Sequence, residues 1–339
     1  MKISKYLNQV ACGGYRMQKV FEKIKIYTKV IFKKIAYILP PEPIPNFFAE
    51  KEVNIRRIRF FRRENFPDSG PLPWLDRENA LSEIDRALES KDINFQTAEI
   101  CKKWHRDGYV VLENFVSAGD LDLAWEAYES AIHRGVLKPP VAVNSSFPDR
   151  TLNPHLLIPE MKNILKQKKI MNLLSVLMGR EATAFQTIAA HAGSQQLEHS
   201  DAIHMTTYPM GYMAAAWIAF EDIHLDSGPL VYYPGSHRLP YYLSLEVDIS
   251  PQDFIKRGYR IYEEKYEPFI QNLIKEKNLK PQYFSPKKGD VLLWHHNLLH
   301  GGSPRKNPSL SRKSVVCHYF VEGAICYHDL ASSLAEHRR

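Results

Sequence analysis

Hydrophobic residues recur at helical spacing through much of the first half of the chain. This spacing predicts four helices, over residues 79–88, 97–107, 120–134 and 162–178. Gly108 and Gly179 follow the second and the fourth of them, and glycine commonly ends a helix because it adopts the left-handed backbone conformation easily. The intervening run YVVLENF, residues 109–115, is predicted to be a strand.

After Arg180 the pattern changes to short apolar or alternating runs separated by turns. Five runs predict strands: TAFQTIAAH, YMAAAWIAFEDI, PLVYYPGSH, DVLLWHH and KSVVCHYFVEG. Several short strands of this kind are typical of a β-sandwich or barrel. Residues 239–285 interrupt this half with a polar, helical pattern, and an excursion of that length predicts a lid.

The N-terminal end carries a basic amphipathic pattern over residues 19–39. Apolar residues recur about once per helical turn with lysines around them, and prolines between residues 40 and 45 end the pattern. The lysines interrupt it too often for a membrane span, and it lacks the uncharged core and cleavage site of a secretory signal. Such a helix lies on an anionic membrane surface or docks on the protein's own body, and the pattern leaves both alternatives open.

The excess of basic residues is confined to the N-terminal end of the chain. The formal net charge is +7, but the first 40 residues hold nine basic residues against one acidic residue, which leaves 36 against 37 elsewhere. A second basic run, RRIRFFRRENF (residues 56–66), contains Phe60 and Phe61 and is predicted to be an arm on the body. No basic stripe with interleaved aromatic residues recurs, so nucleic acid is not expected as a partner.

The cysteine pattern excludes two structural classes. Cys12, Cys101, Cys317 and Cys326 lie far apart in the sequence. This spacing predicts neither a zinc ribbon nor a disulfide framework, so a reducing, cytoplasmic location is expected.

Three His-x-Asp triplets are candidate sites, at residues 105–107, 199–201 and 224–226. The first lies at the end of a predicted helix, where residues i and i+2 point to nearly opposite sides. In the third, Asp226 begins the sequence DSGP and is predicted to form a turn. The second follows a strand, and extended backbone there would turn His199 and Asp201 to the same side.

Two protein ligands hold a metal poorly, so a third is expected downstream. A second histidine would complete a 2-His-1-carboxylate triad, which suits non-haem iron. The candidates are His295, His296, His300 and His318. Gly301 and Gly302 would let the backbone turn sharply after His300, which favours it, with His296 as the competitor.

A candidate anion-binding residue follows in the same region. Arg312 lies twelve residues after His300, across the turn-rich sequence SPRKNPSLS, and could pair beside the His300 strand in a hairpin. Its guanidinium could bind a carboxylate through two hydrogen bonds, and Ser314 would share its strand face.

These stretches resemble the phytanoyl-CoA dioxygenase family of iron(II)/2-oxoglutarate oxygenases. The resemblance rests on WHRDGYVVLENFVS, HSD at residues 199–201, Trp217 in AAWIAFEDI, SGPLVYYPGSHR, and GDVLLWHHNLLHGGSP followed by RKS. It covers residues 97–322, and the combination is far more specific than any one stretch.

The resemblance implies an α+β fold with a double-stranded β-helix core (a cupin-like jelly roll), N-terminal helices and a helical insert. It implies Fe(II) bound by His199, Asp201 and His300, with 2-oxoglutarate and O2 as co-reactants. Arg312 would bind the distal carboxylate of 2-oxoglutarate, with Trp217 and Ser314 in the same pocket.

The chain departs from the family pattern at Glu198, where members often have tryptophan, so Glu198 is a candidate substrate-binding residue. By its odd spacing from His199, His204 is predicted to pack rather than to bind metal. Four segments are predicted: a basic helical extension (1–45), an arm (46–96), the oxygenase domain (97–325) and a tail (326–339).

The implied reaction is oxidation of an unidentified small-molecule or lipid-like substrate, usually by hydroxylation, with release of succinate and CO2. Two other functions stay open. One is a non-catalytic jelly-roll binding protein. The other is a membrane-peripheral oxygenase that modifies a lipid or glycolipid and contacts the membrane through residues 19–39.

Overall fold

The computed structural model describes residues 59–66, 70–138 and 150–335, and all of them except Arg59 belong to one unit, Phe60–Arg339. These residues form helices α1 to α7: Ala80–Glu89, Phe95–Asp107, Ala118–His133, Pro159–Leu165, Lys168–Met178, Pro251–Arg257 and Tyr259–Glu276. They form strands β1 to β12: Tyr109–Leu112, Arg150–Leu152, Ala182–Ala190, Thr206–Tyr208, Met213–Ala219, Leu230–Tyr232, Gln282–Phe284, Val291–His295, His300–Gly302, Ser314–Val321, Ile325–His328 and Ser333–Leu334. Among the described helices, none has an apolar stretch long enough to cross a membrane.

The strands form three sheets, and the pairing is antiparallel throughout the described residues. The large sheet has the order β1-β8-β5-β10-β3-β2, and the two small sheets have the orders β7-β6-β9 and β12-β11-β4. Strands that are neighbours in a sheet are mostly distant in sequence, as when β10 lies between β5 and β3. This alternation between sheets is the connectivity of a jelly roll.

A buried apolar cluster joins the large sheet to the small sheet β7-β6-β9. Alternate residues of β5 and β8 enter it: Ala215, Trp217, Ala219, Leu292 and Trp294. From the small sheet come Leu230, Tyr232 and Phe284. Because side chains two apart on a strand share a face, this face of the large sheet lines the interior between the sheets.

The insert packs against the outer face of the same small sheet. Val231 and Tyr233, which alternate with the interior residues of β6, belong to a second buried cluster. Its members on α7 are Ile261, Tyr262, Tyr266, Ile270 and Leu273. The insert also ends in a strand that the helical prediction omitted, since β7 pairs with β6. The long helix of the insert is therefore part of a core.

Local sequence explains where the described helices begin and end. The Asn94 side chain accepts the N–H of Thr97 at the start of α2, and Gly108 ends α2 with a left-handed backbone (φ 76°). Ser250 and Asp253 form a capping box at the start of α6.

One predicted helix is divided in two. The apolar pattern over 162–178 runs through α4 and α5, which are separated at Lys166 and Gln167. Both helices bury apolar side chains, so the periodicity continues across the break and does not reveal it.

The ends of the predicted segments are described in part. The basic pattern over residues 19–39 lies outside the described residues. Beyond residue 325, β11 pairs with β4 and with β12. The division into four segments stays a prediction. Cys101, Cys317 and Cys326 are buried free thiols.

Candidate metal centre and its cavities

His199 and His300 are backbone partners. The N–H of each donates to the carbonyl of the other at 2.9 Å, which makes an isolated antiparallel bridge at the start of β9. Asp201 opens a single 3-10 turn, Asp201–Ile203, and the Ser200 hydroxyl accepts the N–H of Ala202 at its start. The backbone at His199 is therefore extended, as predicted, whereas Asp201 lies in a turn and not on the same strand.

Gly301 and Gly302 extend β9 instead of forming the sharp turn that their sequence predicts. A Cβ atom on Gly301 would lie 2.9 Å from the carbonyl oxygen of Gln196, and one on Gly302 would lie 2.5 Å from Oγ of Ser194. The glycines therefore allow β9 to approach the segment that carries His199.

The three predicted iron ligands form one buried cluster. Oδ1 of Asp201 lies 3.8 Å from Nε2 of His199 and 3.6 Å from Nε2 of His300. One potential ligand atom from each residue lies within 4.8 Å of the other two. All three side chains are buried. This donor set, two imidazoles and one carboxylate, is the facial triad of non-haem iron enzymes.

Neighbouring groups orient each side chain toward the same point. Nδ1 of His199 lies 2.8 Å from the carbonyl oxygen of Leu197, and Nδ1 of His300 lies 2.9 Å from that of Leu298. A carbonyl only accepts, so Nδ1 carries the proton and Nε2 keeps its lone pair for a metal. The indole N–H of Trp294 donates to Oδ2 of Asp201 at 2.9 Å, which leaves Oδ1 directed at the imidazoles.

The protonation states agree with metal binding. Burial, reinforced by the nearby His300, holds the pKa of His199 well below its ordinary value, so its imidazole is neutral. Burial alone would raise the pKa of Asp201, but His300, His318 and His199 together hold it well below its ordinary value. A metal needs these forms, a neutral imidazole and a carboxylate.

Arg312 is buried and has no carboxylate partner among the described residues. One guanidinium nitrogen donates to the Gly228 carbonyl at 2.9 Å, while Nε has no hydrogen-bond partner in the described part of the chain. Burial, together with the charges of Arg150 and Arg305, lowers the pKa of Arg312 to about 10. A buried charge without a counter-charge is unfavourable, so this position suits an anionic ligand.

The predicted hairpin between His300 and Arg312 is wrong. Strand β9 belongs to the small sheet and pairs with β6, whereas Arg312 precedes β10 in the large sheet. The jelly-roll connectivity sends these successive strands to opposite sheets. His300 and Arg312 still line a common cavity.

An inner cavity of about 80 Å³ contains the cluster and Arg312 in its lining. Trp217 and Ser314 line it as well, and the Arg312 guanidinium lies 5.7 Å from the centre of the Trp217 ring. The structure thus brings the three residues predicted to bind 2-oxoglutarate into one cavity with the three predicted iron ligands.

A larger cavity of about 300 Å³ adjoins the inner one at the cluster. The two share six lining residues: Arg150, Ile188, Gln196, His199, Asp201 and His318. The remaining walls of this outer cavity are Leu152, Gln186, His204, Met205, Tyr259 and His328.

Sequence reasoning missed several of these lining residues. Gln186, Ile188 and Ala190 alternate along β3 and line the cavities, so the alternation in TAFQTIAAH could have identified them. Arg150 could not be found in this way. It reaches the cavities because β2 pairs with β3, where Arg150 is opposite Ala190.

Glu198 lines neither cavity. Its Oε1 accepts from the Tyr233 hydroxyl at 3.0 Å, and its Oε2 accepts from Nε2 of Gln271 on α7 at 2.6 Å. The structure therefore places Glu198 between the small sheet and the insert. His204 packs its ring against His199 and Tyr262 and also lines the outer cavity.

The other candidate ligands lie outside the cluster. Nε2 of His295 lies 3.2 Å from Oδ2 of Asp76, and Nε2 of His296 lies 3.3 Å from the Thr206 hydroxyl. His318 is adjacent to the cluster, with Nε2 3.7 Å from Oδ2 of Asp201.

The two rival triplets have structural partners. Nδ1 of His105 lies 2.7 Å from the Leu75 carbonyl, and Asp107 pairs with Lys103 and Arg106. In the other triplet, Nδ1 of His224 accepts the N–H of Asp226 in an exposed turn.

Comparisons with known proteins agree with this geometry. Residues 104–314 match the family model described as phytanoyl-CoA dioxygenase (PhyH). The bovine protein named phytanoyl-CoA dioxygenase, peroxisomal, is 22% identical over 271 residues, which cover 73% of this chain and 75% of the bovine protein. The mouse protein of the same name is 24% identical over 260 residues, which cover 69% of this chain and 71% of the mouse protein.

Two solved structures share the fold. The non-heme alpha ketoglutarate dependent carbocyclase SnoK from nogalamycin biosynthesis has a TM-score of 0.54 at 14% identity, covering 74% of this chain and 96% of SnoK. EctD from S. alaskensis, solved with 2-oxoglutarate and 5-hydroxyectoine, has a TM-score of 0.51 at 21% identity, covering 68% of this chain and 76% of EctD.

This fold and this centre define a non-haem iron oxygenase that depends on 2-oxoglutarate. The chain belongs to the phytanoyl-CoA dioxygenase family, whose model matches more than half of its length. The predicted family, the α+β jelly-roll fold and the pairing of iron with 2-oxoglutarate are confirmed.

Proposed function

We propose that this enzyme is a hydroxylase in which His199, Asp201 and His300 bind Fe(II) and Arg312 binds 2-oxoglutarate. The observation that supports this best is the position of Arg312, a buried guanidinium that no carboxylate of the described residues neutralises, in the cavity of the His-Asp-His cluster. A keto acid that chelates a metal at one end has a second carboxylate free for such a guanidinium. Trp217 and Ser314 would form the rest of that wall.

When bound, iron and 2-oxoglutarate would supply the oxidising chemistry, in which O2 converts 2-oxoglutarate to succinate and CO2 while a substrate C–H bond is oxidised. The protein residues act by positioning. The Leu197 and Leu298 carbonyls fix the orientation of the two imidazoles, and Trp294 fixes the carboxylate of Asp201. Arg312, Trp217 and Ser314 are all buried, so the 2-oxoglutarate end of the cavity is remote from bulk solvent.

We propose the outer cavity as the substrate site, because it adjoins the ligand cluster on the side away from Arg312. Leu152, Ile188 and Met205 give it an apolar part beside polar residues such as Gln196 and His328, and this mixed lining suits a small-molecule or lipid-like substrate. A cytoplasmic enzyme and a membrane-peripheral enzyme are both compatible with this site.

The test is anaerobic binding of Fe(II) and 2-oxoglutarate, followed through the visible charge-transfer band of the chelate. We expect the wild-type protein to show the band and His199→Ala to lose it. Arg312→Met should keep iron binding but require at least about tenfold more 2-oxoglutarate, since it loses a charge-assisted pair worth well over 1 kcal/mol.

His224→Ala is the matched control, because it removes the histidine of a triplet that lies outside both cavities. It should leave the band unchanged. A wild-type protein with no band, or a His199→Ala protein with an undiminished band, would contradict the proposed function.

A further inference from the structure

Two polar side chains lie next to each other on the wall of the outer cavity. Gln186 on β3 and His318 on β10 are directly opposite in antiparallel register, so their side chains project from the same face of the large sheet. Both line the outer cavity, and His318 also lines the inner one. The pair therefore lies where the proposed substrate site meets the metal centre.

Neither side chain has its hydrogen bonds satisfied within the described part of the chain. Oε1 of Gln186 and both ring nitrogens of His318 are buried without a hydrogen-bond partner. His318 is 3% exposed. Its Nε2 lies 3.7 Å from Oδ2 of Asp201, beyond hydrogen-bonding distance, and that oxygen already accepts from Trp294. Buried polar atoms without partners are rare in native proteins and call for a ligand to pair them.

One part of the outer cavity wall, next to the pair, is apolar, while Arg150, Gln196, His204 and His328 line other parts of it. Ile188 is the next cavity-facing residue along β3, two positions from Gln186, and Leu152 is its register partner on β2. Met205 adds a third apolar side chain. A ligand that packs against this part of the wall therefore has a hydrocarbon body there and a polar group at Gln186 and His318.

We propose that Gln186 and His318 together bind a neutral hydroxyl group of the substrate, at the end of the molecule nearest the metal centre. This inference rests on the proposed function and adds the substrate class, an alcohol with an apolar body. A hydroxyl donates its proton to Oε1 of Gln186 and accepts from the ring N–H of His318. A carboxylate, thioester or ether has no proton to donate and would leave Oε1 of Gln186 unpaired.

The test uses three small ring compounds that differ in this property. Cyclohexanol donates and accepts, tetrahydropyran only accepts, and cyclohexanecarboxylate is an anion that only accepts. Each is titrated into the full chain loaded anaerobically with Fe(II) and 2-oxoglutarate, and binding is read from the rise in Tm. We expect a Kd for cyclohexanol at least tenfold lower than for either of the other compounds.

Gln186→Leu separates recognition from a structural role. It should abolish the tenfold preference for cyclohexanol, while the Tm without ring compound stays the same or rises, because leucine replaces a buried acceptor that has no partner. Gln167→Leu is the matched control, since the Gln167 side chain makes no capping hydrogen bond to α5 and lies outside both cavities. It should retain the preference.

The outcomes distinguish this inference from the proposed function. The chelate band is recorded first for every sample, and its absence from the wild-type protein rejects the proposed function. Three results obtained with a normal chelate band would overturn the hydroxyl site alone. They are no binding of cyclohexanol, binding of tetrahydropyran as tight as that of cyclohexanol, and a preference for cyclohexanol that is retained in Gln186→Leu. A Gln186→Leu protein that loses Tm without ring compound shows a structural glutamine and also overturns it.

Discussion

At the scale of single residues, burial keeps several histidines uncharged away from the metal centre. His237 and His296 are both buried, and burial, with the nearby His295 as the second cause, lowers the pKa of each to about 3. Nδ1 of His237 makes no hydrogen bond to any residue that the structure describes. Protonation of either imidazole in the folded state is unfavourable, because burial prevents water from solvating the positive charge.

This predicts acid sensitivity of folding with a definite sign. Because the folded pKa lies below the unfolded value of about 6.5, the unfolded chain takes up the proton first, so stability is complete above pH 6.5 and falls as the pH drops toward 3. Each residue should remove about 2 kcal/mol from the free energy of unfolding between pH 6.5 and 5. Urea unfolding at the two pH values measures this loss, and His237→Leu should reduce it by roughly half of the two-residue total. An equal loss in the variant and the wild type would contradict the assignment.

Site residues could be predicted from the sequence when residues close to them in the chain determine their positions, and less well when distant residues do. His199 and Asp201 are two residues apart, so the backbone alone keeps them close whether the segment is extended or turned. His300 and Arg312 were found through resemblance and sequence order, although the hairpin expected between them does not exist. Gln186 and His318 lie side by side because of the register between β3 and β10, which no short motif in the sequence encodes.

At the scale of secondary-structure elements, the insert helix α7 contacts both sequence neighbours of His199, a proposed metal ligand. The Tyr266 hydroxyl accepts the N–H of Ser200 at 3.2 Å, and Gln271 donates to Glu198 at 2.6 Å. The same helix buries Tyr262, Tyr266 and Ile270 completely. Through Tyr266 and Gln271, which line neither cavity, the insert therefore positions the segment that carries His199.

We expect Gln271→Ala to weaken Fe(II) binding about tenfold, because residues that orient a metal-binding segment commonly contribute that much to metal affinity. Anaerobic titration with Fe(II) measures the change. Asn272→Ala is the matched control, since Asn272 is an exposed amide on the next position of α7 and should leave the affinity unchanged. Equal affinities of the two variants would show that the contact with Glu198 has no effect on the centre.

The insert also shows which elements the hydrophobic pattern could predict. Its helical character was visible in the sequence, but β7 was not, because three residues give too short an alternation to recognise. The fact that α7 packs on the outer face of the small sheet depends on the three-dimensional course of β6, whose residues face two different cores.

At the scale of the whole molecule, the predicted membrane contact depends on the basic N-terminal segment and is separate from the chemistry of the described residues. Residues 19–39 lie outside the described part of the chain, so their contact with a membrane stays a prediction from their amphipathic, lysine-rich pattern. We expect the lysines to determine whether this segment binds a membrane, since each lysine near an anionic surface contributes about 1 kcal/mol to the binding free energy.

We expect the full-length protein to sediment with phosphatidylcholine vesicles that contain phosphatidylserine. A full-length variant with Lys19, Lys23, Lys29, Lys33 and Lys34 changed to glutamine should remain largely in the supernatant. Vesicles of phosphatidylcholine alone provide the control for surface charge. Equal sedimentation of the two proteins would mean that these lysines do not bring the protein to a membrane.

The backbone bridge between His199 and His300 also has a consequence for the order of folding. The two residues are roughly 100 positions apart, so bringing them together closes a long loop at a considerable entropic cost. The loop includes β5, β6 and β8 as well as the insert, and contacts of such high sequence separation form slowly. A partly folded or newly synthesised chain would offer only the His-x-Asp pair, which is a weak metal site. The proposed iron site is therefore complete only when β9 has paired with the segment that carries His199, so that incomplete molecules would compete poorly for iron.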